Sequence, residues 1–174
     1  VGWTLPAYEL ALSTRAYVAE ISATPNPREV ATAAEVVGLR PDDGALLYAK
    51  SGQIYERDLV TGGADMIVAA GGTAWYDSTG NIVLVQQAHF AGLTPYPVLA
   101  VTTRGAFGTA QPLGTPAQAA RLSEVSGFDR GVAVLAEGPP GAATPARARV
   151  ALANALAPDK LLYLSDFESP LQLT

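Results

Sequence analysis

The sequence predicts an α/β or α+β domain: a mixed β-sheet with three short helices, an antiparallel meander in its middle and a βαβαβ unit in its C-terminal half. Three observations predict it. First, the apolar runs Val98 to Val101, Val132 to Ala136 and Leu161 to Leu164 have strand length and composition. Second, the segments between them begin Thr115-Pro116 and Thr144-Pro145, where threonine can cap an orphan amide and proline at the first helical position loses no hydrogen bond. Third, Asn26, Pro27 and Glu29 repeat that grammar ahead of Val30, Ala33, Ala34 and Val37, which fall at helical spacing up to Gly38. Strand, helix, strand, helix, strand is the order of a parallel sheet with crossover helices.

In chain order, residues 1–14 (Trp3, Leu5, Tyr8, Leu10, Leu12) alternate weakly and are expected to form a first strand or an arm. Trp3 and Tyr8 are the candidate interface residues: an aromatic so near a terminus either caps its own core or docks on a neighbouring subunit. Arg15 to Ser22 reads as a strand, and the first helix is expected at about 27–37. From 45 to 87, short apolar runs alternate with Ser51-Gly52, Gly62-Gly63, Gly71-Gly72 and Asp77-Ser78-Thr79-Gly80. Glycine there supplies the backbone freedom that hairpin turns need, so this stretch is the meander. Residues 88–97 connect it to the βαβαβ unit, 97–166. That unit's helices are expected at about 116–126, with Gln118 completing a capping box and Gly127 past the end, and at about 145–157, stopped by Pro158. The acidic connectors Pro41 to Gly44, Phe128 to Gly131 and Pro158 to Lys160 recur as helix-to-strand turns. The loops 102–114 and 137–143, rich in glycine and proline, are the candidates for partner-binding segments, and residues 168–174 are expected as a tail strand.

The whole chain, 1–174, reads as one domain, long enough to bury roughly 70% of its unfolded surface. It has no cysteine, which excludes disulfides, thiolate chemistry and Cys-ligated zinc and leaves the compartment undecided. Beginning at Val1 and not at methionine, it also leaves a signal peptide undecided. Charged residues make up 16% and apolar residues 49%, a bland surface that suits a protein whose faces are covered by neighbours. A net charge of −5 with only two lysines, Lys50 and Lys160, and no basic cluster argues against a nucleic-acid footprint. No apolar run reaches the length of a membrane span.

If the late strands were parallel, their carboxyl ends would share one edge of the sheet, where open α/β folds bind ligands. Thr103, Arg104, Glu137 and Asp166 leave those ends and are the candidate ligand-binding residues, suited to a small anion or a metal-bound phosphate. His89 is the single histidine and lies beside Phe90 in a connector, so neither a Ser-His-Asp arrangement nor a histidine metal site is predicted. Gly105-x-x-Gly108 lacks both the spacing of a dinucleotide fingerprint and the lysine of a phosphate loop. Asp42 and Asp43 read as turn residues. No catalytic residue, cofactor or metal is predicted.

Three short resemblances accompany these readings. Tyr76 to Val85, "Tyr-Asp-Ser-Thr-Gly-Asn-Ile-Val-Leu-Val", resembles the strand-turn-strand of TolB-like propellers over ten residues, which implies a propeller, whereas the three helix signals imply another fold. Val150 to Asp166 resembles the helix and strand near the nucleotide site of the amino acid kinase family, without that family's lysine-glycine-glycine opening strand. Ala100 to Gly127 and Tyr17 to Ile21 look like pieces of contractile tail sheath proteins. The expected function is a non-enzymatic structural or interaction subunit of a larger assembly, virion or extracellular, whose partners are copies of itself or another protein subunit. The alternative is an α/β ligand- or nucleotide-binding enzyme domain with its site on the carboxyl edge.

Overall fold

The computed structural model describes residues 2–5, 14–19, 23–91, 94–115, 118, 122–137, 149–154 and 156–164. The alternation of antiparallel strands and tight turns, expected only between 45 and 87, runs through nearly all of them. The first sheet holds β1 (Gly2–Leu5), β2 (Arg15–Val18) and β3 (Arg28–Thr32). The second holds β4 (Glu35–Leu39), β5 (Ala45–Lys50), β6 (Gln53–Asp58) and β7 (Met66–Ala70). The third holds β8 (Thr73–Tyr76), β9 (Ile82–Ala91), β10 (Thr94–Thr103) and β11 (Gln111–Pro112). The fourth holds β12 (Leu122–Asp129), β13 (Val132–Glu137), β14 (Arg149–Asn154) and β15 (Ala157–Tyr163). Strands neighbour each other in chain order, and every pairing is antiparallel.

The first strands of successive sheets lie against one another, β1 on β4, β4 on β8 and β8 on β12, so the sheets fan out from a shared axis as blades do. Three cores fill the gaps. Ala16, Val30, Leu46 and Tyr48 close the first, between sheets one and two. Leu47, Ile54, Val68, Ala74, Val83 and Val85 close the second. Leu84, Leu99, Leu113, Leu122, Ala133, Ala151 and Ala153 close the third. Successive residues of a strand point to opposite faces, so Leu46 and Tyr48 of β5 face one neighbour while Leu47 faces the other. Val83 and Val85 of β9 likewise back onto sheet two, and Leu84 onto sheet four.

This architecture overturns the α/β expectation. Helical backbone among the described residues is confined to a 3-10 turn at Arg104–Ala106 and to Gln118. The stretch expected as a helix at 27–37 is β3 and β4 joined at Ala33, whose φ is +51°. Its helical spacing arises because two short strands and a turn place Val30 and Ala34 in one core. Of the helix expected at 116–126, residues 122–126 belong to β12, while 116–117 and 119–121 lie outside the described residues. One half of the capping box forms, with the Thr115 N–H donating to Gln118 Oε1 at 2.9 Å, but Thr115 Oγ1 donates to the same oxygen and the Gln118 N–H goes to the Thr115 carbonyl, and the chain is extended again by Leu122. Of the helix at 145–157, Arg149–Asn154 is β14, 145–148 lie outside the described residues, and Pro158 sits inside β15 instead of stopping a helix.

The βαβαβ unit dissolves with its helices. Residues 98–101 belong to the third sheet and 132–136 to the fourth, where β14 separates β13 from β15 and runs against both. The strands expected between 45 and 87 are present and antiparallel, but fall in two sheets divided at Gly71-Gly72. Of the N-terminal arm, residues 2–5 are β1, paired with β2, and 6–13 lie outside the described residues. Residues 168–174 also lie outside them.

The hinge between sheets two and three is sterically exacting. A Cβ on Gly71 would stand 2.8 Å from the Gln86 carbonyl oxygen and 2.6 Å from Val85 Cγ1, and the backbone contact cannot yield by a rotamer change. Gly71→Ala should therefore lower the unfolding free energy by about 2–3 kcal/mol, an overpacking cost. Gly52→Ala, at a hairpin tip with φ +74° and open space around it, should cost only about 1 kcal/mol, the penalty of left-handed backbone. Urea unfolding of the two variants checks the order.

Candidate functional site

The residues with the most distinctive chemistry meet where sheets two and three touch, at the end marked by the β4–β5 and β8–β9 turns. In β6 the inward positions are Ile54 and Glu56, both fully buried. Glu56 is a carboxylate in an apolar stripe and needs partners. Tyr76, the last residue of β8, donates its hydroxyl to Glu56 Oε2 at 2.5 Å. Arg104 Nε donates to Glu56 Oε1 at 3.2 Å, and its Nη2 stands 3.2 Å from the same oxygen. Arg104 is fixed from behind, because its own N–H donates to the Asn81 carbonyl at 2.8 Å and Thr102 Oγ1 holds the 3-10 turn by donating to the Ala106 carbonyl at 3.1 Å.

Arg40, just past β4, folds back over the same junction. Its Nε donates to Asp42 Oδ1 at 2.6 Å, and Asp42 Oδ1 also accepts from the Gly44 N–H at 2.9 Å. The Arg40 stem lies over Gly80, where a Cβ would come within 2.7 Å of Arg40 Cγ and φ is +69°, so only glycine suits the site. Arg40 Nη1 is buried and makes no hydrogen bond to a described residue. The neighbouring turn is organised by the buried Asp77, whose carboxylate accepts from Thr79 Oγ1 at 2.8 Å and from the Ile82 N–H at 3.2 Å. That turn is tied onward to the fourth sheet, since the Ser78 N–H donates to Asp129 Oδ1 at 3.3 Å.

Chemically the cluster is a clamp. Burial, and then the bond to Glu56, push the Tyr76 hydroxyl upward, so it remains a donor at neutral pH. Both Glu56 oxygens are engaged. Lower down, Arg57 grips Asp65 through Nε to Oδ1 and through Nη2 to Oδ2 at 2.7 Å, the two-pronged fork of a strong arginine-carboxylate pair. Tyr48 stacks on Tyr55 with ring centroids 5.3 Å apart. No grouping of His, Asp and Glu able to hold a metal ion is found among the described residues.

The ligand edge expected from the sequence is not assembled. Thr103 is exposed at the end of β10, and Arg104 alone enters the cluster. Glu137 ends β13, opposite Leu122 and Arg149. Since β13 starts at the turn whose Asp129 touches Ser78 and runs away from it, Glu137 lies at the other end of its sheet from Arg104. Asp166 and Tyr8 lie outside the described residues, while Trp3 sits in β1 opposite Tyr17. His89 is within β9, opposite Tyr96, and not in a connector. Glu56, Tyr76 and Arg40 were not singled out in the sequence. The alternation of β6, which puts an acid at an inward position two residues after Ile54, was the available signal.

No protein-family model matches the sequence, and no curated protein matches it. Among solved structures, the chain is similar to the one described as "putative TolB from Agrobacterium tumefaciens", at a TM-score of 0.57 and 13% identity. The fold is β-propeller-like. The likeness covers 95% of this chain and 61% of that one, and at this identity it shows the fold and not the activity. The ten residues that resemble TolB-like propellers, Tyr76 to Val85, are the β8–β9 turn with its flanking strands.

The exposed apolar side chains form two further features. Val60, Met66 and Ile67 stand on the rim of sheet two. Val132, Leu162 and Leu164 stand on the fourth sheet, on the face turned away from the third. No helix among the described residues is long and apolar enough to cross a membrane.

Removing the clamp's centre should be costly. Glu56→Ala should destabilise by about 2–4 kcal/mol, because it removes a fully buried side chain and strands the Tyr76 hydroxyl and the Arg104 guanidinium. Arg104→Ala takes the cation from the fully buried Glu56 carboxylate and should cost about 1–3 kcal/mol; chemical denaturation of both variants measures the two losses. The clamp and turns also set the response to acid. Asp42 beside Arg40, Asp58 under the Thr61 N–H, Asp65 in the Arg57 fork and Asp129 at Ser78 are all held below the ordinary aspartate value. The unfolded chain therefore takes up protons first, and the stability these aspartates contribute, complete above pH ~4, is lost as pH falls through their folded values. Melting temperatures recorded from pH 6 to pH 2 should fall steeply only below about pH 4.

Proposed function

We propose that the chain is a non-enzymatic interaction subunit: a propeller-like scaffold that joins copies of itself, or another protein subunit, in a larger assembly. The observation that carries this reading is the apolar surface that the fold leaves uncovered, Val132, Leu162 and Leu164 on the fourth sheet and Val60, Met66 and Ile67 on the rim of the second. Large aliphatic side chains gathered on one face are a feature of protein-protein surfaces more than of free ones. The composition supports it, with 16% charged residues, since depletion of charge is what distinguishes the centre of an interface. The buried polar groups support it differently. Glu56, Tyr76 and Arg104 spend their hydrogen-bonding capacity on one another and so join sheets.

Size-exclusion chromatography with light scattering over a hundredfold dilution tests the proposal. The expected result is a mass above the 17.9 kDa of one chain at micromolar concentration, falling toward it on dilution. A single species of one-chain mass throughout, with no protein partner recovered from the native source, would refute it.

A further inference from the structure

We infer that residues 104–110 are a strap that shuts the outer edge of sheet two against strand addition. The strands that end the four sheets on the side away from the shared axis are β3, β7, β11 and β15. An edge strand offers unpaired backbone groups to any extended chain, and proteins blunt it with charge, proline, shortness or a covering segment. β3 reads Arg-Glu-Val-Ala-Thr, β11 is the two residues Gln-Pro, and β15 reads Ala-Pro-Asp-Lys-Leu-Leu-Tyr. Each of these carries its own charge or proline. β7 reads Met-Ile-Val-Ala-Ala and carries neither, and its Met66 and Ile67 are exposed.

The cover for β7 comes from the next sheet. Its pairing with β6 passes from Ala69 opposite Ile54 to Ile67 opposite Tyr55, so a bulge leaves Val68 out of the ladder. Val68 is fully buried, and a buried carbonyl needs a donor. The Gly108 N–H, in the connection between β10 and β11, supplies one at 2.8 Å. Phe107 and Ala110, on either side of Gly108, pack against the second core, which contains Val68. The strap is rooted by the Arg104 N–H on the Asn81 carbonyl and by Arg104 Nε on Glu56 Oε1. Its turn is tied at the Ala106 carbonyl, which accepts from Thr102 Oγ1 and from Thr109 Oγ1.

The strap is built to open before the sheets do. Gly105, Ala106, Gly108 and Thr109 are exposed, and a segment that buries so little separates at lower cost than the strands beneath it. Opening would release the Val68 carbonyl and uncover the apolar strand together. Gly108 has φ +95° and nothing within 4 Å of where a Cβ would stand, so a side chain there strains the closed backbone without a clash. The strap acts within one chain and serves monomer and oligomer alike.

Fluorescence anisotropy with a labelled peptide of residues 65–70, Asp-Met-Ile-Val-Ala-Ala, tests the strap. The parent chain should bind this strand weakly. Gly108→Ala should lower the apparent dissociation constant on the order of tenfold, because left-handed backbone is costly for alanine and binding tightens in proportion to the open fraction. Phe107→Asp, which takes the strap's ring from the second core, should act in the same direction. Gly105→Ala, with the same free space but no left-handed backbone, should change nothing. The peptide carrying Ile67→Pro, which cannot complete a ladder, should bind neither parent nor variants. Binding that neither Gly108→Ala nor Phe107→Asp tightens, or that the proline peptide matches, overturns the inference.

Discussion

Burial of an antiparallel sheet on both of its faces is the constraint from which the rest of this molecule follows. Sheets two and three can be apolar on either side only because each lies between two others, so Leu46 and Leu47, adjacent in sequence, complete different cores. A side chain such as Leu84, fully removed from water, contributes on the order of 2 kcal/mol through that burial, and it does so only while the neighbouring sheet is in place. Each sheet thus depends on the next.

Apolar contact alone would let such sheets slide. The polar junctions remove that freedom. Glu56 links sheet two to Tyr76 at the inner edge of sheet three and to Arg104 beyond its third strand, while Arg40 lies across Gly80 and Asp129 reaches the Ser78 amide. All of these sit at the end where the first hairpin of each sheet turns, so one row of turns sets the angular register of the fan. A buried carboxylate is tolerated there because a hydroxyl and a guanidinium meet it.

The functional reading grows from these two features together. Glu56, Tyr76 and Arg104 join sheets two and three, whereas Val132, Leu162 and Leu164 of the fourth sheet stand exposed. Exposed aliphatic side chains of this kind suit contact with another protein surface.

Several features were legible in the chain itself: the glycine-marked turns, the antiparallel strands between 45 and 87, and the absence of cysteine and of any basic patch. Those depend on neighbours in sequence, which the sequence contains. The TolB-like stretch at Tyr76 to Val85 also pointed to the right architecture, but ten residues were outweighed by three proline-headed segments whose apolar spacing looks the same in a helix as in two short strands joined at Ala33. An unbroken run such as Val98 to Val101, buried throughout, records only that both faces are covered, and parallel sheets and packed antiparallel blades share that property. The identity of the covering element was decided by tertiary structure alone, as was the meeting of Glu56, Tyr76 and Arg104 from three distant segments, because distance in space between sheets is not encoded in the period of any one strand.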